Sequence, residues 1–573
     1  MNATNLAIGT VVGMLLYGLV LALISKWAAQ RTHGKTSEYF VAGRSLPWYV
    51  MLGTFFLTMW SGASLYGNTA AFYRLGIGYL SGCSGNYFLG IIAPAIVYPI
   101  WLLGKRFNIV SPAGLLTYRY KSRVITLICS AVFILCSIPL IATNIIAFGN
   151  CVNVTTGGKI AFAVAAAFMI VYVFAHIIKG GNTSVAYADC FAGIMAVVGL
   201  TVVIATLIKN VVMPAGGFAA ATAAIQAENS DLLIHSGNFA KGFQTAGIAI
   251  SASMSSFIWP HVLMRSYMAK NVGSFKMQAM LIPPLVWFTY TVFAFCGIFL
   301  GHTGFPGLDG VTAENIMPML LTTYAPLIVC VWYVLVVFAF AISTADSLAV
   351  SSTSVLQIDV MESDGEMVDK SKLHFGILAI AVGVTLCVIF RPKFLVTYMY
   401  SFCNPGFFAM APAMIGGMFW RKGSRTGAFA SIIVGFAVVC YVLFVYNPIP
   451  SCNPILWGTA ASLPTYIIVS LLTKQSPEEA VAAEEMTGYI ADTFRGRNNG
   501  AFAVMIVISV ILFIFDMWGV PKIGTAYDML AGWIPLQVVL HLCVALCMTV
   551  VGYFCCQNRF GNQADESRLR SDT

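Results

Sequence analysis

The sequence predicts an all-α polytopic membrane protein, and two features of its composition indicate this class. Of its 573 residues, 59% are hydrophobic and only 9% are charged, too small a share of charge for a soluble chain of this length. Apolar runs of about 20 residues recur along the chain, which is the length a helix needs to cross a bilayer. The net charge of +9 comes from basic residues scattered over short loops, so it does not indicate nucleic-acid binding.

Fifteen apolar segments are predicted to span the membrane. The first has no basic region before it and no clear cleavage site, so we expect residues 1–28 to form a retained span rather than a signal peptide. The predicted spans lie near residues 5–28, 47–73, 78–103, 124–150, 159–178, 182–208, 242–265, 277–301, 317–357, 373–390, 394–420, 426–446, 454–473, 501–518 and 530–555.

The distribution of Lys and Arg predicts the orientation of these spans. With the N-terminus outside, basic residues concentrate in the loops that then face the cytoplasm and in the tail at 556–573. Cytoplasmic loops of membrane proteins carry such an excess of positive charge. We therefore predict a multi-pass protein of the cell membrane, surrounded by lipid, with its N-terminus outside and its C-terminus in the cytoplasm.

Small and hydroxyl residues interrupt the predicted span 47–73 near its centre, at Ser61, Gly62 and Ser64. Such residues weaken a continuous helix. A helix broken at membrane depth is tolerated where it lines a cavity, and its freed carbonyls can hold Na⁺ or H⁺. Close helix packing through small residues is the alternative interpretation.

A second interruption is predicted in the span 242–265, where serines precede Trp259 and Pro260. Proline removes a backbone donor and frees a carbonyl one turn upstream. Two interrupted helices in corresponding positions of two halves indicate a transporter site. They would open two five-helix units, 47–208 and 242–420, which start on opposite sides of the membrane and so form an inverted repeat.

An aspartate and several hydroxyl residues lie together in the apolar span 317–357. Ser343, Asp346 and Ser347 are spaced i, i+3 and i+4, which predicts that they share one helix face. A packing stripe of small residues would explain the serines but not the carboxylate. Because an ionisable residue inside a membrane span indicates function, and oxygen-rich clusters suit hard cations, this string predicts ion binding.

Other classes of function are disfavoured. No Gly-x-x-x-x-Gly-Lys-Ser/Thr loop is present, so we do not expect ATP to drive the protein directly. The inner loop 474–500 is predicted to form a surface helix and is too short for a kinase, ATPase or protease domain. We expect no enzyme activity, no organic cofactor and no obligate protein partner. A membrane solute sensor is a weaker alternative, because the tail is too short for a signalling domain.

A series of short motifs runs through residues 1–473. They are Glu38 to Ser45 in the first inner loop, Ser61-Gly62, Gly180-Gly181 with Asp189, Pro260-His261 followed by Arg265, Ser343-Thr344 with Asp346-Ser347, and Pro412 with Trp420. In this order and spacing they resemble the sodium:solute symporter family, which includes sodium/proline, sodium/pantothenate, sodium/sialic acid and sodium/glucose cotransporters.

The resemblance implies a five-plus-five inverted-repeat core, with one leading helix and about four trailing helices in 426–473 and 501–555. It implies sodium as the coupling ion. The family's conserved sodium site would fall on the backbone carbonyls of Leu57, Trp60 and Phe340 and on the hydroxyls of Ser343 and Thr344. Phe340 departs from the small Ala that is usual there, and Trp60 is bulky for its position, so the packing of the site must differ.

Some family members carry a second sodium site, which would fall on Asp189, Ser343, Asp346 and Ser347. Asp346 replaces a hydroxyl of that pattern, which would either strengthen cation binding or let the group bind a proton. A proton-coupled symporter of the same fold is therefore the alternative function.

The solute would sit between the two broken helices. Its candidate ligands are Ser61, Ser64, Asn86, Ser256 and Trp259. We expect a small carboxylate, a vitamin acid or an amino acid, with no Arg or Lys in the middle of the core to hold it. His261 is expected to be structural or gating, and Asp516 and His541 of the last two spans are expected to be edge residues.

Overall fold

The computed structural model of the protein describes residues 2–30, 34–234, 239–252, 254–306, 312–363, 365–390, 399–449, 452–519 and 529–560. Within these residues the chain is almost entirely helical, apart from turns and a two-stranded antiparallel sheet of β1 (Met529–Leu530) and β2 (Ile534–Pro535). One serine of the run before Trp259 (Ser253), the start of the predicted span 394–420 and the tail beyond 560 lie outside these residues.

Eleven of the described helices are long and apolar enough to cross a membrane, and one bent pair would make a twelfth. These twelve correspond to twelve of the fifteen predicted spans. The remaining three predicted spans, 47–73, 159–178 and 394–420, contain helices that are shorter or interrupted. The predicted all-α class of multi-pass membrane protein is confirmed.

A leading helix, a short helix in the first inner loop and a unit of five spans form the first part of the chain. The helices are α1 (Ala3–Ala29), α2 (Thr36–Val41), α3 (Trp48–Met59), α4 (Gly62–Leu75), α5 (Tyr79–Cys83), α6 (Leu89–Ile92), α7 (Tyr98–Arg106), α8 (Gly114–Tyr120), α9 (Arg123–Thr155) and α10 (Phe162–Leu207). Short 3₁₀ and π turns join α5, α6 and α7 into one span, and a kink divides α10 into two.

The second unit of five spans follows a short helix in the loop after α10. Its helices are preceded by α11 (Gly217–Asn229) and comprise α12 (Phe239–Ala252), α13 (Pro260–Met268), α14 (Gly273–Ala294), α15 (Gly301–Gly304), α16 (Ile316–Tyr324), α17 (Leu327–Ser354), α18 (Lys370–Phe390), α19 (Asn404–Phe408) and α20 (Ala411–Phe419). Both units therefore open with an interrupted helix, α3–α4 and α12–α13, as the inverted repeat requires.

Five further helices follow the repeats in the part of the chain that the structure describes. They are α21 (Arg425–Phe444), α22 (Pro454–Leu472), α23 (Pro477–Thr493), α24 (Asn499–Ile514) and α25 (Leu536–Arg559). α23 is the helix predicted in the inner loop, and a capping box between Ser476 and Glu479 starts it. The buried Glu479 carboxylate also accepts the backbone N–H of Arg425 at 2.5 Å, which ties α23 to the start of α21.

The kink in α10 lies at Gly181, whose φ of 50° is favoured only by glycine. A Cβ atom at Gly181 would lie 2.4 Å from the Tyr39 carbonyl oxygen. The first inner loop therefore packs directly on the kink, where the Tyr39 hydroxyl donates to the Ile177 carbonyl at 2.7 Å. This contact explains why the Glu38–Ser45 and Gly180-Gly181 motifs occur together.

Candidate functional site

The first repeat opens with a helix that breaks between Trp60 and Ser61. Both residues have extended backbones, so α3 ends at Met59 and α4 begins at Gly62. The Ser61 hydroxyl caps α4 by accepting the Ser64 N–H at 2.9 Å, and the Gly62 N–H donates to the Asn144 side chain of α9 at 2.9 Å. Two of the donors exposed at the start of α4 are thereby satisfied.

Residues predicted to hold sodium meet at this break. The Thr344 hydroxyl of α17 lies 3.2 Å from the Trp60 carbonyl oxygen and 3.3 Å from the Phe340 carbonyl oxygen. The Trp60 N–H donates to the Leu57 carbonyl at 3.1 Å. The Ser343 hydroxyl makes no hydrogen bond of normal geometry and lies beside the Asp189 carboxylate. Thr344 thus brings together carbonyls from both helices, which are oxygen ligands of the kind a hard cation requires.

Close approach of α4 and α17 makes this meeting possible. A Cβ atom at Gly62 would lie 2.7 Å from the Ala341 Cβ and 3.1 Å from its Cα, so only glycine fits there. The bulky Trp60 ring turns away to pack against Tyr290, with a distance of 4.5 Å between ring centroids. The Trp60 side chain therefore does not lie between its own backbone carbonyl and Thr344.

A small central cavity of about 20 Å³ lies between the two interrupted helices. Its volume is about that of one water molecule. Three of the five predicted solute ligands, Ser61, Ser64 and Trp259, line it, together with Thr344. Its wall also contains residues that the sequence did not single out: Thr58, Tyr290, Tyr400 and Asn404.

The other two predicted solute ligands, Asn86 and Ser256, do not line this cavity. The Asn86 side chain donates to the Tyr290 hydroxyl at 2.9 Å, while its carbonyl oxygen has no hydrogen-bond partner. The Ser256 hydroxyl is also buried and unpartnered. Unpartnered polar atoms at Asn404 Oδ1 and His261 Nδ1 also belong to residues of the cavity wall. Buried polar atoms usually have partners, so these groups are available to a further polar group.

A larger cavity of about 580 Å³ lies on the side predicted to be external. Tyr400 lines both cavities and so separates them. An ion pair between Arg74 and Glu314, with 3.1 Å between nitrogen and oxygen, lies on its wall. The structure therefore combines a vestibule on one side with a closed centre.

Arg265 is a buried basic residue of the core, whereas the sequence predicted no Arg or Lys in the middle of the core. Its side chain is 1% exposed, and its guanidinium pairs with the Asp189 carboxylate at 3.0 Å. It also donates to Asn182 at 2.9 Å and to the Ser347 hydroxyl. The residue follows the break before Pro260, and α13 carries its side chain inward rather than into the loop predicted to be cytoplasmic.

Asp346 also departs from expectation, because it does not join Ser343 and Ser347 around one point. Its carboxylate contacts Nδ1 of His176 from the first half of α10, and Nε2 of His176 lies 2.5 Å from the Ser25 hydroxyl of α1. The His176 and Asp346 side chains are 5% and 2% exposed. Asp346 and Ser347 are consecutive residues, about 100° apart around the helix, so Asp346 faces a different neighbour from Ser347.

The first inner loop packs against the core just after the kink in α10. Asn182 donates to the Phe40 carbonyl at 2.5 Å, and Thr183 donates to the Glu38 carbonyl at 3.1 Å. Arg44 donates to the Ile109 carbonyl at 2.9 Å, and burial lowers the pKa of Arg44 to about 10, which leaves it charged at neutral pH. Because Asn182 also accepts from Arg265, the loop is connected to the buried ion pair.

Asp516 and His541 were expected to be edge residues, and this was wrong. Both side chains are at most 2% exposed, and His541 Nε2 lies 3.0 Å from the Asp516 carboxylate. Asp516 also accepts the Ser81 hydroxyl at 3.2 Å and the Ser84 hydroxyl. The pair therefore attaches the last two spans to Ser81 of α5 and to Ser84, which lies two residues before Asn86.

These features define the class of protein. Two inverted five-helix units, each opened by a broken helix, surround a closed central cavity beside a cluster of oxygen ligands, which is the architecture of a secondary transporter. The model of the sodium:solute symporter family matches residues 39–435. The chain belongs to this family.

Curated relatives resemble the chain over most of its length. It is 24% identical to the sodium/pantothenate symporter of Haemophilus influenzae over 426 residues, 71% of this chain and 84% of that one. It is 25% identical to the high-affinity proline transporter PutP of Bacillus subtilis over 497 residues, 80% of this chain and 97% of that one. It is 22% identical to the monocarboxylate transport permease protein of Rhizobium johnstonii over 462 residues, 75% of this chain and 87% of that one.

A solved structure shares the fold. The substrate-bound, outward-open state of a Na⁺-coupled sialic acid symporter superposes with a TM-score of 0.65 at 18% identity, and the match covers 82% of this chain and 99% of that one. The five-plus-five inverted-repeat core expected from the sequence is confirmed, and sodium-coupled solute symport is the function of the family.

Proposed function

We propose that this protein imports a small organic solute into the cell by sodium-driven symport, through alternating access. The observation that carries the proposal is the contact of the Thr344 hydroxyl with the Trp60 and Phe340 carbonyls at the helix break. Leu57 and Ser343 complete the proposed ligand set. All five residues are at most 2% exposed, so a sodium ion there would exchange water for protein oxygens.

The arrangement supports a coupling mechanism in which sodium holds the first broken helix against α17. Bound there, the ion would attract the oxygens that Thr344 now links by hydrogen bonds. The solute would bind next to it, between the breaks, against Ser61, Ser64 and Trp259. One positive charge moved inward across 100 mV yields about 2.3 kcal/mol, to which the sodium concentration ratio adds.

The chemistry of the central cavity favours a compact solute with both donors and acceptors. Among the described residues that line it there is no Lys or Arg. Hydroxyl, amide and indole groups and the N-terminal end of α4 would therefore hold the solute's polar atoms. A small carboxylate, a vitamin acid or an amino acid fits these groups, and the relatives named for pantothenate, proline and monocarboxylates fall in the same range.

Two cavities suggest how access would alternate. We assign the 580 Å³ vestibule to the outside, on the predicted topology with an external N-terminus and a cytoplasmic C-terminus. Tyr400 would move to admit solute from it. The first inner loop, which packs on Asn182 and Thr183, would move to release solute inside.

Uptake into proteoliposomes tests this proposal. A thermal-shift screen of carboxylates, vitamin acids and amino acids, each with and without sodium, would first select a solute. We expect its uptake to follow an imposed sodium gradient at constant pH. Uptake that ignores sodium and follows a pH gradient would instead establish the proton-coupled alternative.

A further inference from the structure

The second sodium site that the family pattern implies does not fit the residues of this chain. That site would need oxygens of Asp189, Ser343, Asp346 and Ser347 around one ion. In the structure the Asp189 carboxylate accepts Arg265 at 3.0 Å and the Thr54 hydroxyl at 2.6 Å. The Ser347 hydroxyl also accepts a hydrogen bond from Arg265 and donates its own proton to the Ser343 carbonyl at 2.7 Å.

Arg265 occupies the position from which a cation would contact these oxygens. One Nη atom reaches both Asp189 and Ser347, and the other donates to Asn182 at 2.9 Å. An arginine side chain keeps its proton in proteins, so the guanidinium is a permanent positive charge. The helix that follows the second break holds this charge inside the core, where the residue is 0% exposed.

Charge balance opposes a second mobile cation bound directly between Asp189 and Arg265. Asp189 and Arg265 together carry no net charge, so a sodium ion between them would add an uncompensated charge beside a fixed one. Burial of a charge is costly unless a counter-charge is present. Asp346 does not pair with Arg265: its carboxylate contacts His176, and among the described residues no hydrogen bond joins Asp346 to Arg265 or Ser347.

We propose that Arg265 is a tethered cation that takes the place of a second sodium ion, so that each chain binds a single sodium ion. The inference rests on the proposed sodium site at Ser343 and Thr344 and extends it to the number of ions that accompany the solute. The ion that other members of this fold would take from solution is here part of the chain and cannot be released.

Equilibrium binding of ²²Na⁺ to the purified full-length protein tests this. We expect one sodium ion per wild-type chain and a single hyperbolic isotherm. Arg265→Gln should raise the number to two, because it removes the charge and leaves the acceptors. Arg265→Lys retains the charge and should leave the number at one. Adding Thr344→Ala to Arg265→Gln should lower it to one again, since the two sites are distinct.

Two ions bound per wild-type chain would overturn the inference, as would a folded Arg265→Gln protein that still binds one. Asp346→Asn provides a test that does not depend on the folding of an arginine variant. We expect it to bind one sodium ion with an affinity within threefold of wild type, and a loss of bound sodium would contradict the inference. No sodium bound to wild type would instead refute the proposed function itself, which separates the two failures.

Discussion

The Thr344 hydroxyl lies 3.2 Å from the carbonyl oxygen of Trp60, across the contact between α17 and the break in the first core helix. This bond joins the end of α3 to a helix of the other repeat. The same hydroxyl also lies near the Phe340 carbonyl of its own helix at 3.3 Å. An ion placed among these oxygens would therefore couple the two repeats directly.

Gly62→Ala should weaken both the fold and sodium binding. The new methyl would meet Ala341 at 2.7 Å, so α4 and α17 must separate by several tenths of an ångström. Overpacking of this kind costs about 1–3 kcal/mol. Gly488→Ala in α23 is the matched control, because nothing lies within 4 Å of its added Cβ atom. Thermal unfolding of the two variants at increasing sodium checks the prediction. The same unfolding temperature and the same sodium dependence in both variants would contradict it.

Asn144 is predicted to support the sodium site without touching the ion. Its side-chain oxygen accepts the Gly62 N–H at 2.9 Å, so Asn144→Ala removes a cap from α4. Losing a cap costs about 1 kcal/mol, and we expect the sodium concentration for half-maximal binding to rise about fivefold. Asn144→Asp keeps the acceptor, so its sodium concentration for half-maximal binding should rise less than that of Asn144→Ala. A rise that is equal in both variants would exclude capping as the cause.

Asp346 and His176 should be strongly coupled in stability. His176→Ala leaves a buried carboxylate without its partner, and breaking a buried pair costs about 3–5 kcal/mol. Adding Asp346→Asn to His176→Ala should recover about 1–3 kcal/mol of that loss, because no charge then remains to be stabilised. A double-mutant cycle of unfolding free energies measures this coupling. Strict additivity would show that the pair does not interact.

Asp516 should anchor the last two spans to the core. Asp516→Ala removes the acceptor of Ser81 and Ser84 and the partner of His541, so hydrogen exchange in residues 79–88 should accelerate. Asp492→Ala is the control, because its side chain is 65% exposed in an ion pair with Arg495 and such pairs contribute little. Unchanged exchange at 79–88 in Asp516→Ala would contradict the anchoring role.

The sequence could predict the fold because its signals are local. Apolar run length indicated the spans, and serines with glycine at 61–64 and the proline at 260 located both helix breaks. The ligand set around Thr344 came from a family pattern, and the structure brings most of its members together. These features depend on neighbours in the chain, which are visible in the sequence.

The partners of buried charges could not be predicted in this way. Arg265 lies at the end of a predicted span, where a side chain can point to the cytoplasm or fold inward, and only its contact with Asp189 decides between them. His176 is 170 residues from Asp346, and Asp516 is 432 residues from Ser84. Such pairs follow from tertiary packing, which a single sequence does not encode in any short motif.

The most direct test of the sodium site is a titration of thermal unfolding with sodium, at constant ionic strength maintained by potassium. Wild-type protein should be stabilised as sodium rises. Thr344→Ala should need about 10-fold to 100-fold more sodium, because a hydrogen-bonding group facing a charge contributes about 1.5–3 kcal/mol, while Thr344→Ser, which keeps the hydroxyl, should stay close to wild type. A Thr344→Ala protein that responds to sodium as wild type does would contradict the proposed sodium site.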